Sequence, residues 1–319
     1  MTALLTALAI QFPNIDPVLV HLGPISIRWY ALSYIAGLVL GWLYMRTTVG
    51  KTALWSAPDS GIPITTKTHI DDFLVWATLG VLIGGRLGHI VFYALILEPQ
   101  YILENPLRVF YVWEGGMSFH GGLIGVIAAI LWFCRKHKID ILRFGDAIAI
   151  AAPIGLGFGR IANFINAEIV GKVSSAPWAV IFCNDRIRAT HGGTCPAGEL
   201  PRHPAQLYEA ALEGLALFVI LYALAHWFKG LRRPGLATGV FLLAYAAFRI
   251  FVEVLFRDSN NKLGTSGWTL GELLSIPMAL VAVPFLWTAF ADRFGPVPGG
   301  ARIGRFLSGA PAQAAPEKK

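Results

Sequence analysis

Charge is scarce in this chain. Only 14% of its 319 residues are Asp, Glu, Lys or Arg, while 55% are hydrophobic and the mean hydropathy is +0.59. Soluble domains carry roughly a quarter charged residues. The apolar residues stand in continuous runs without alternation, which argues against a transmembrane β-barrel and points to an all-α polytopic membrane protein. Cysteine is scarce too. Three residues imply no disulfide framework, and whether Cys183 and Cys195 are bonded stays open. Nucleotide and metal signatures are missing. The chain holds no P-loop, no GxGxxG at a strand–helix junction and no GxSxG elbow, and none of its eight histidines forms HxxxH or HExxH. No metal and no cofactor are expected. The first residues, "MTALLTALAIQFPNIDP", lack a basic start and an obvious cleavage site, so they read as an amphipathic lead-in, not a removed signal peptide.

A helix needs about 20 predominantly apolar residues to span a bilayer. Seven stretches qualify: 26–46, 71–93, 119–134, 145–166, 206–228, 236–256 and 268–290. The fourth carries Pro153, Gly155, Gly157 and Gly159, so a kink or interruption is expected there. Residues 1–292 then form one integral membrane domain with a long outer loop at 167–205. The Gly/Pro/Ala-rich basic tail 293–319 reads as disordered.

Lys and Arg set the orientation. Fifteen lie in one set of connections, including Arg46, Arg135, Lys136, Arg232 and the tail, against seven in the other. The richer set is cytoplasmic, which puts the N-terminus outside and the C-terminus inside. The net charge of +7 is thus explained by membrane topology and gives no reason to expect nucleic acid.

Four arginines are left inside the proposed spans: Arg28, Arg86, Arg160 and Arg249. An ionisable residue at such depth is a functional candidate, set against simple snorkelling to the headgroups. In "YAAFRIFVE", Tyr245, Arg249 and Glu253 share one helical stripe; the structural alternative is an ion pair pinning two helices. In "GRIANFINAEIVG", Arg160 and Asn163 are helical neighbours. The helix is expected to end near Asn166, leaving Glu168 and Gly171 in a turn where glycine permits a conformation closed to other residues. An arginine and carboxamides at membrane depth suit a phosphate, which guanidinium holds bidentately. "SFHGGLIG" puts His120 at the mouth of the third span, where it suits a general base or a mere hydrogen-bonding role. "RHPAQLYE" brings His203, Gln206 and Glu209 to the point where the outer loop re-enters the membrane. "GRLGH" contributes Arg86, and "IRWY" contributes Tyr30, equally readable as an interfacial belt residue. A non-enzymatic reading, a transporter of lipids or organic anions, uses the same arginines, but no pair of spans mirrors another.

"GRIANFINAEIVG" matches the pattern G-R-x-[GA]-N-F-x-N-x-E-x-x-G at every fixed position, and in this the chain resembles the prolipoprotein diacylglyceryl transferase family. The resemblance runs on through "GPISIRWYAL", "GGRLGHIVFY", "SFHGGLIG", "RHPAQLYE" and "YAAFRIFVEVLFRDSN", across residues 22 to 290. It implies a multi-pass enzyme of the bacterial plasma (inner) membrane, its active site toward the periplasmic face. Such an enzyme moves the diacylglyceryl group of phosphatidylglycerol to the lipobox cysteine thiol of a prolipoprotein, forming a thioether and releasing sn-glycerol 1-phosphate. This is the first step of lipoprotein maturation. On that expectation His120, Arg249 and Glu253 are catalytic. Arg160, Asn163, Asn166, Glu168, Gly171, Tyr30, Tyr245, Arg86, His203, Gln206 and Glu209 bind substrate. The partners are the lipid, the prolipoprotein signal peptide and the bilayer.

Overall fold

The structure is a computed structural model describing residues 9–22, 25–55, 64–91, 100, 104–111, 116–258, 269–290 and 309. The tail expected to be disordered lies, Gly309 apart, outside the described residues, as do residues 1–8 of the N-terminal lead-in. Helices dominate: α1 (Trp29–Val49), α2 (Thr52–Trp55), α3 (Lys67–His89), α4 (Phe119–His137), α5 (Ile141–Ile165), α6 (Asp185–Thr190), α7 (Ala205–His226), α8 (Leu236–Leu255) and α9 (Leu270–Phe290). Each of the seven expected spans contains one long helix. Four of them, α5, α7, α8 and α9 from Gly271, are long and apolar enough to cross a membrane. The other three carry polar residues that lower their apolarity: five Trp and Tyr on α1, two aspartates on α3, and a basic last turn on α4.

The chain divides into two compact units. The first comprises Met1–Tyr44, Ile148–Gly230 and Leu236–Trp287. Its helices cross at glycines. A Cβ on Gly37 of α1 would lie 2.8 Å from the Cα of Gly155 on α5, and one on Gly214 of α7 would lie 2.6 Å from the Cα of Gly157. Gly155 and Gly157 of "GLGFG" therefore lie at crossing points, and of the two alternatives expected for this span the interruption is absent, since α5 runs through Pro153 to Ile165. Where side chains are only hydrogen atoms, backbones approach closely, and dispersion replaces the hydrophobic drive that lipid removes. α7 carries a π-helical stretch, Ala210–Ala216, and such wide turns often mark functional sites. The 167–205 segment is a small folded cap. Its strand β4 (Val180–Ile181) pairs in parallel with β1 (Ile10–Gln11). Phe12, Phe164 and Phe182 form its core, and Cys183 is bonded to Cys195 with Cα atoms 5.5 Å apart. β2 (Val18–Leu22) and β3 (Ile25–Arg28) form an antiparallel hairpin leading into α1.

The second unit comprises Met45–Ala147, Leu231–Gly235 and Thr288–Lys319. Its spine is the antiparallel pair α3–α4. Gly80, Gly84 and Gly88 recur every four residues and face Gly125 and Gly121 with the same spacing. A Cβ on Gly84 would lie 2.8 Å from the Cα of Gly125 and one on Gly88 2.5 Å from that of Gly121. Aromatic packing of Phe73, Phe133 and Phe144 closes one end. Ser118 caps α4, its hydroxyl accepting from Gly121 N–H at 3.3 Å. Buried Asp146 accepts from Gly235 N–H at 2.7 Å.

The glycine seam yields a contrast. A methyl at Gly84 meets backbone, whereas one at Gly122 meets Val81 O at an ordinary 3.7 Å. Gly84→Ala is expected to cost about 1–3 kcal/mol through overpacking. Gly122→Ala is expected to be neutral or stabilising, because alanine is the better helix former. Thermal unfolding of the detergent-solubilised variants checks the difference.

Candidate functional site

The signature stretch ends α5 and turns sharply. Asn163 Nδ2 donates to Glu168 Oε1 at 2.8 Å and Asn166 Nδ2 to the same oxygen at 3.4 Å, while Glu168 N–H donates to Asn163 O at 3.1 Å. The two carboxamides therefore hold Glu168 in place and thereby shape the turn. The left-handed positions of this turn are Ala167 (φ 54°) and Ile169 (φ 59°). Gly171, expected to need such freedom, does not adopt it. Its reason is space: a Cβ there would lie 2.7 Å from Phe256 O and against His203 O. Gly171 N–H donates to His203 O at 3.0 Å and its carbonyl accepts from Arg202 Nη1 at 3.0 Å, so the residue is pinned between two segments. Gln206, buried at the start of α7, donates to Glu168 O.

Just inside this turn, three arginines meet three glutamates. Arg160 of α5 reaches Glu209 Oε2 with Nε at 3.3 Å, and Glu213 Oε2 with Nε at 3.2 Å and Nη2 at 3.1 Å. Arg249 of α8 pairs with Glu209 Oε1, with Glu253 Oε2 at 3.1 Å and, more loosely, with Glu213 Oε1 at 3.8 Å. Arg257, just past α8, reaches Glu209 Oε1 at 3.2 Å and Glu253 Oε2 at 3.3 Å. Arg160 and Arg249 thus converge on the same two carboxylates of α7. The glutamate side chains are 0% to 4% exposed, the guanidinium groups 12% to 19%. The acids are thus the more deeply buried partners and the arginine side chains the more accessible ones.

Two expected residues adjoin this cluster. Tyr245, one turn before Arg249, interacts electrostatically with Glu213, Arg160 and Arg249. Tyr30 is hydrogen-bonded through its hydroxyl to that of Tyr34 at 3.1 Å, and Tyr34 in turn feels Arg160 and Glu168. His203 stands on the cap side, its Nδ1 3.1 Å from the Tyr208 hydroxyl, which also accepts from Trp178 Nε1 at 2.7 Å. Desolvation, and then the positive charge of Lys172, hold the His203 pKa below its ordinary value, so the ring stays neutral further into the acid range.

The second unit holds the remaining two. Arg86 is buried, and it donates to the carbonyls of Val109 (Nε, 3.0 Å), Gly116 (Nη1, 3.2 Å) and Arg108 (Nη2). Its fork thus fastens the segment leading into α4. His120 is the second residue of α4, half-buried, directly before the Gly121 that packs on Gly84 and Gly88.

Sequence reasoning overlooked Glu213, Arg257 and Tyr34. For Glu213 the signal was present: it lies inside a proposed span four residues after Glu209. The rule that singles out intramembrane arginines applies to carboxylates with equal force.

An array of partly accessible arginine side chains, braced by buried carboxylates, is suited to a phosphate-bearing molecule. Comparison with known proteins is consistent with that chemistry. Residues 17–288 match the family described as prolipoprotein diacylglyceryl transferase. A phosphatidylglycerol–prolipoprotein diacylglyceryl transferase of Phenylobacterium zucineum is 50% identical over 286 residues, covering 89% of this chain and 96% of its own length. The enzymes of the same name from Caulobacter sp. (strain K31) and Sinorhizobium medicae are 49% and 47% identical, covering 90% and 89% of this chain and 96% and 95% of their own. The chain belongs to the prolipoprotein diacylglyceryl transferase family.

Proposed function

We propose that this protein transfers the diacylglyceryl group of phosphatidylglycerol to the lipobox cysteine of prolipoproteins. The carbon–oxygen bond of the lipid glycerol breaks, a carbon–sulfur bond forms, the thiol proton is given up and sn-glycerol 1-phosphate leaves. The observation that carries this reading is the convergence of Arg160 and Arg249 on Glu209 and Glu213. Two fixed cations at one site can hold a phosphodiester and then the growing charge of the leaving phosphate, where a low dielectric makes each contact worth more than in water. Glu253, paired with Arg249 at i, i+4, orients it. Asn163 and Asn166 support the site indirectly through Glu168. His120 is assigned the base that takes the thiol proton, since a thiol of pKa about 8.5 must become a thiolate to attack. Arg86 receives a framework role, given its three carbonyl partners.

The same reading has seven spans, N-terminus outside and C-terminus cytoplasmic, in the bacterial inner membrane. Supporting it, α1, α3 and α4 expose apolar side chains such as Leu38, Val75, Leu82, Ile83, Ile124 and Ile127, as lipid-facing helices do. The arginine–glutamate cluster lies near the ends of α5 and α8 that the charge bias assigns to the periplasmic face.

Thioether formation from purified phosphatidylglycerol and a prolipoprotein peptide tests the assignment. Arg249→Ala is expected to lower turnover about 10²- to 10³-fold, the effect of losing one preorganised oxyanion donor, with circular dichroism confirming the fold. His120→Gln is expected to lower it about 10²-fold or more. Near-normal turnover in either variant removes that residue from its role. Because arginines supply the positive charge, activity is expected to survive chelator treatment, measured in the same assay.

A further inference from the structure

Three arginines and three glutamates make the cluster electrically neutral as it stands. A phosphodiester brings one more negative charge into a place of low dielectric, where an uncompensated ion is costly. Either a carboxylate leaves or a proton enters. Glu209 cannot leave cheaply, since it contacts Arg160, Arg249 and Arg257. Glu253 is held by both Arg249 and Arg257. Glu213 is held within hydrogen-bonding distance by Arg160 alone, with Arg249 at 3.8 Å, and that single close arginine is what sets it apart, since each of the three carboxylates has one oxygen without a hydrogen-bond partner among the described residues.

Glu213 also occupies the place that matters. Its Oε2 accepts from both Nε and Nη2 of Arg160, the edge a guanidinium offers to a phosphate bidentately. The π-helical stretch that carries Glu213 is in direct backbone contact with α5 at Gly157–Gly214, which fixes this approach. The groups facing Glu213 are Arg160 on α5, Glu209 on its own helix, and Arg249 and Tyr245 on α8; Tyr34 on α1 faces Arg160 from the other side. The neutral donor in this set is the Tyr245 hydroxyl, and among the described residues it makes no hydrogen bond to Glu213, whose Oε2 is held by Arg160.

We propose that Glu213 is the resident occupant of the phosphate position on Arg160, and that a phospholipid phosphate displaces it with uptake of one proton by the Glu213 carboxylate. The proposal rests on the transferase reading for its ligand. The proton comes from bulk solvent and restores neutrality, so nothing else need be exchanged. Lipid binding raises the affinity of Glu213 for a proton, and by linkage the lipid binds more tightly at low pH. Affinity declines as the pH rises through the lipid-bound pKa of Glu213, by about tenfold per pH unit while uptake is complete. Glu213 is thereby a competitor that keeps the arginines braced and solvated until lipid arrives.

The test is calorimetric titration of the full-length protein in nanodiscs with phosphatidylglycerol, in buffers of different ionisation enthalpy and across about pH 5 to 8, where perturbed carboxylates titrate. Uptake of about one proton per lipid is expected for the wild type, and none with diacylglycerol, which lacks the phosphate. Glu213→Gln is expected to abolish the uptake, flatten the pH dependence and bind the lipid about tenfold more tightly at the upper end of the range. Binding without proton uptake in the wild type, or unchanged uptake in Glu213→Gln, overturns the proposal and leaves the transferase reading standing. Absence of any phosphatidylglycerol binding to the wild type overturns both. The wild-type arm decides the matter alone should Glu213→Gln fail to fold.

Discussion

Everything at the site depends on three carboxylates buried beneath three guanidinium groups. Glu209, Glu213 and Glu253 have almost no exposed surface, and Arg160, Arg249 and Arg257 face them at 3.1 to 3.8 Å or closer. Removing one arginine takes a counterion from two or more buried carboxylates at once, a costly change for such groups. The arrangement locks α5, α7 and α8 into one relative position, since each contributes ions that the others must neutralise.

Neutral crossings make that electrostatic knot possible. Gly37 of α1 and Gly214 of α7 let these helices lie against α5 at Gly155 and Gly157 with backbone nearly touching backbone, so the long arginine and glutamate side chains can span what separation remains. Gly271 does the same for Glu253, whose carboxyl carbon would lie 2.9 Å from a Cβ there. The π-helical stretch of α7 changes the angular step between Glu209 and Glu213 just where both must point at the arginines. Where α5 ends and α7 begins, Asn163, Asn166 and Gln206 converge on Glu168. The signature is thus largely an instruction for making one turn, and only Arg160 within it reaches the ion cluster.

Much of this was readable beforehand. Hydrophobic runs located a helix at all seven places, because about 20 apolar residues without a break permit little else. The stripe of Tyr245, Arg249 and Glu253 followed from helical spacing, and the end of α5 at Ile165 followed from the diverging faces of Asn166 and Glu168. Glycine misled at one place: Gly171 was read as a conformational need and is a steric one. The cause is that glycine's absent side chain matters in proportion to what lies opposite, and the opposite residue comes from another segment.

The sequence by itself determined the solvent of this protein, the placing of its long helices and the presence of ionisable groups too costly to bury singly. These are local properties, decided by transfer free energies and helical period. Only the tertiary structure decided which ions face which. Glu209 of α7 meets Arg160 from a helix 49 residues earlier and Arg249 from one 40 residues later. Disulfide pairing of Cys183 with Cys195 and the clasp of Arg86 on three carbonyls were settled in the same way. A charge in a low-dielectric setting takes its meaning from its nearest counterion, and proximity across chain segments is what a one-dimensional string does not record.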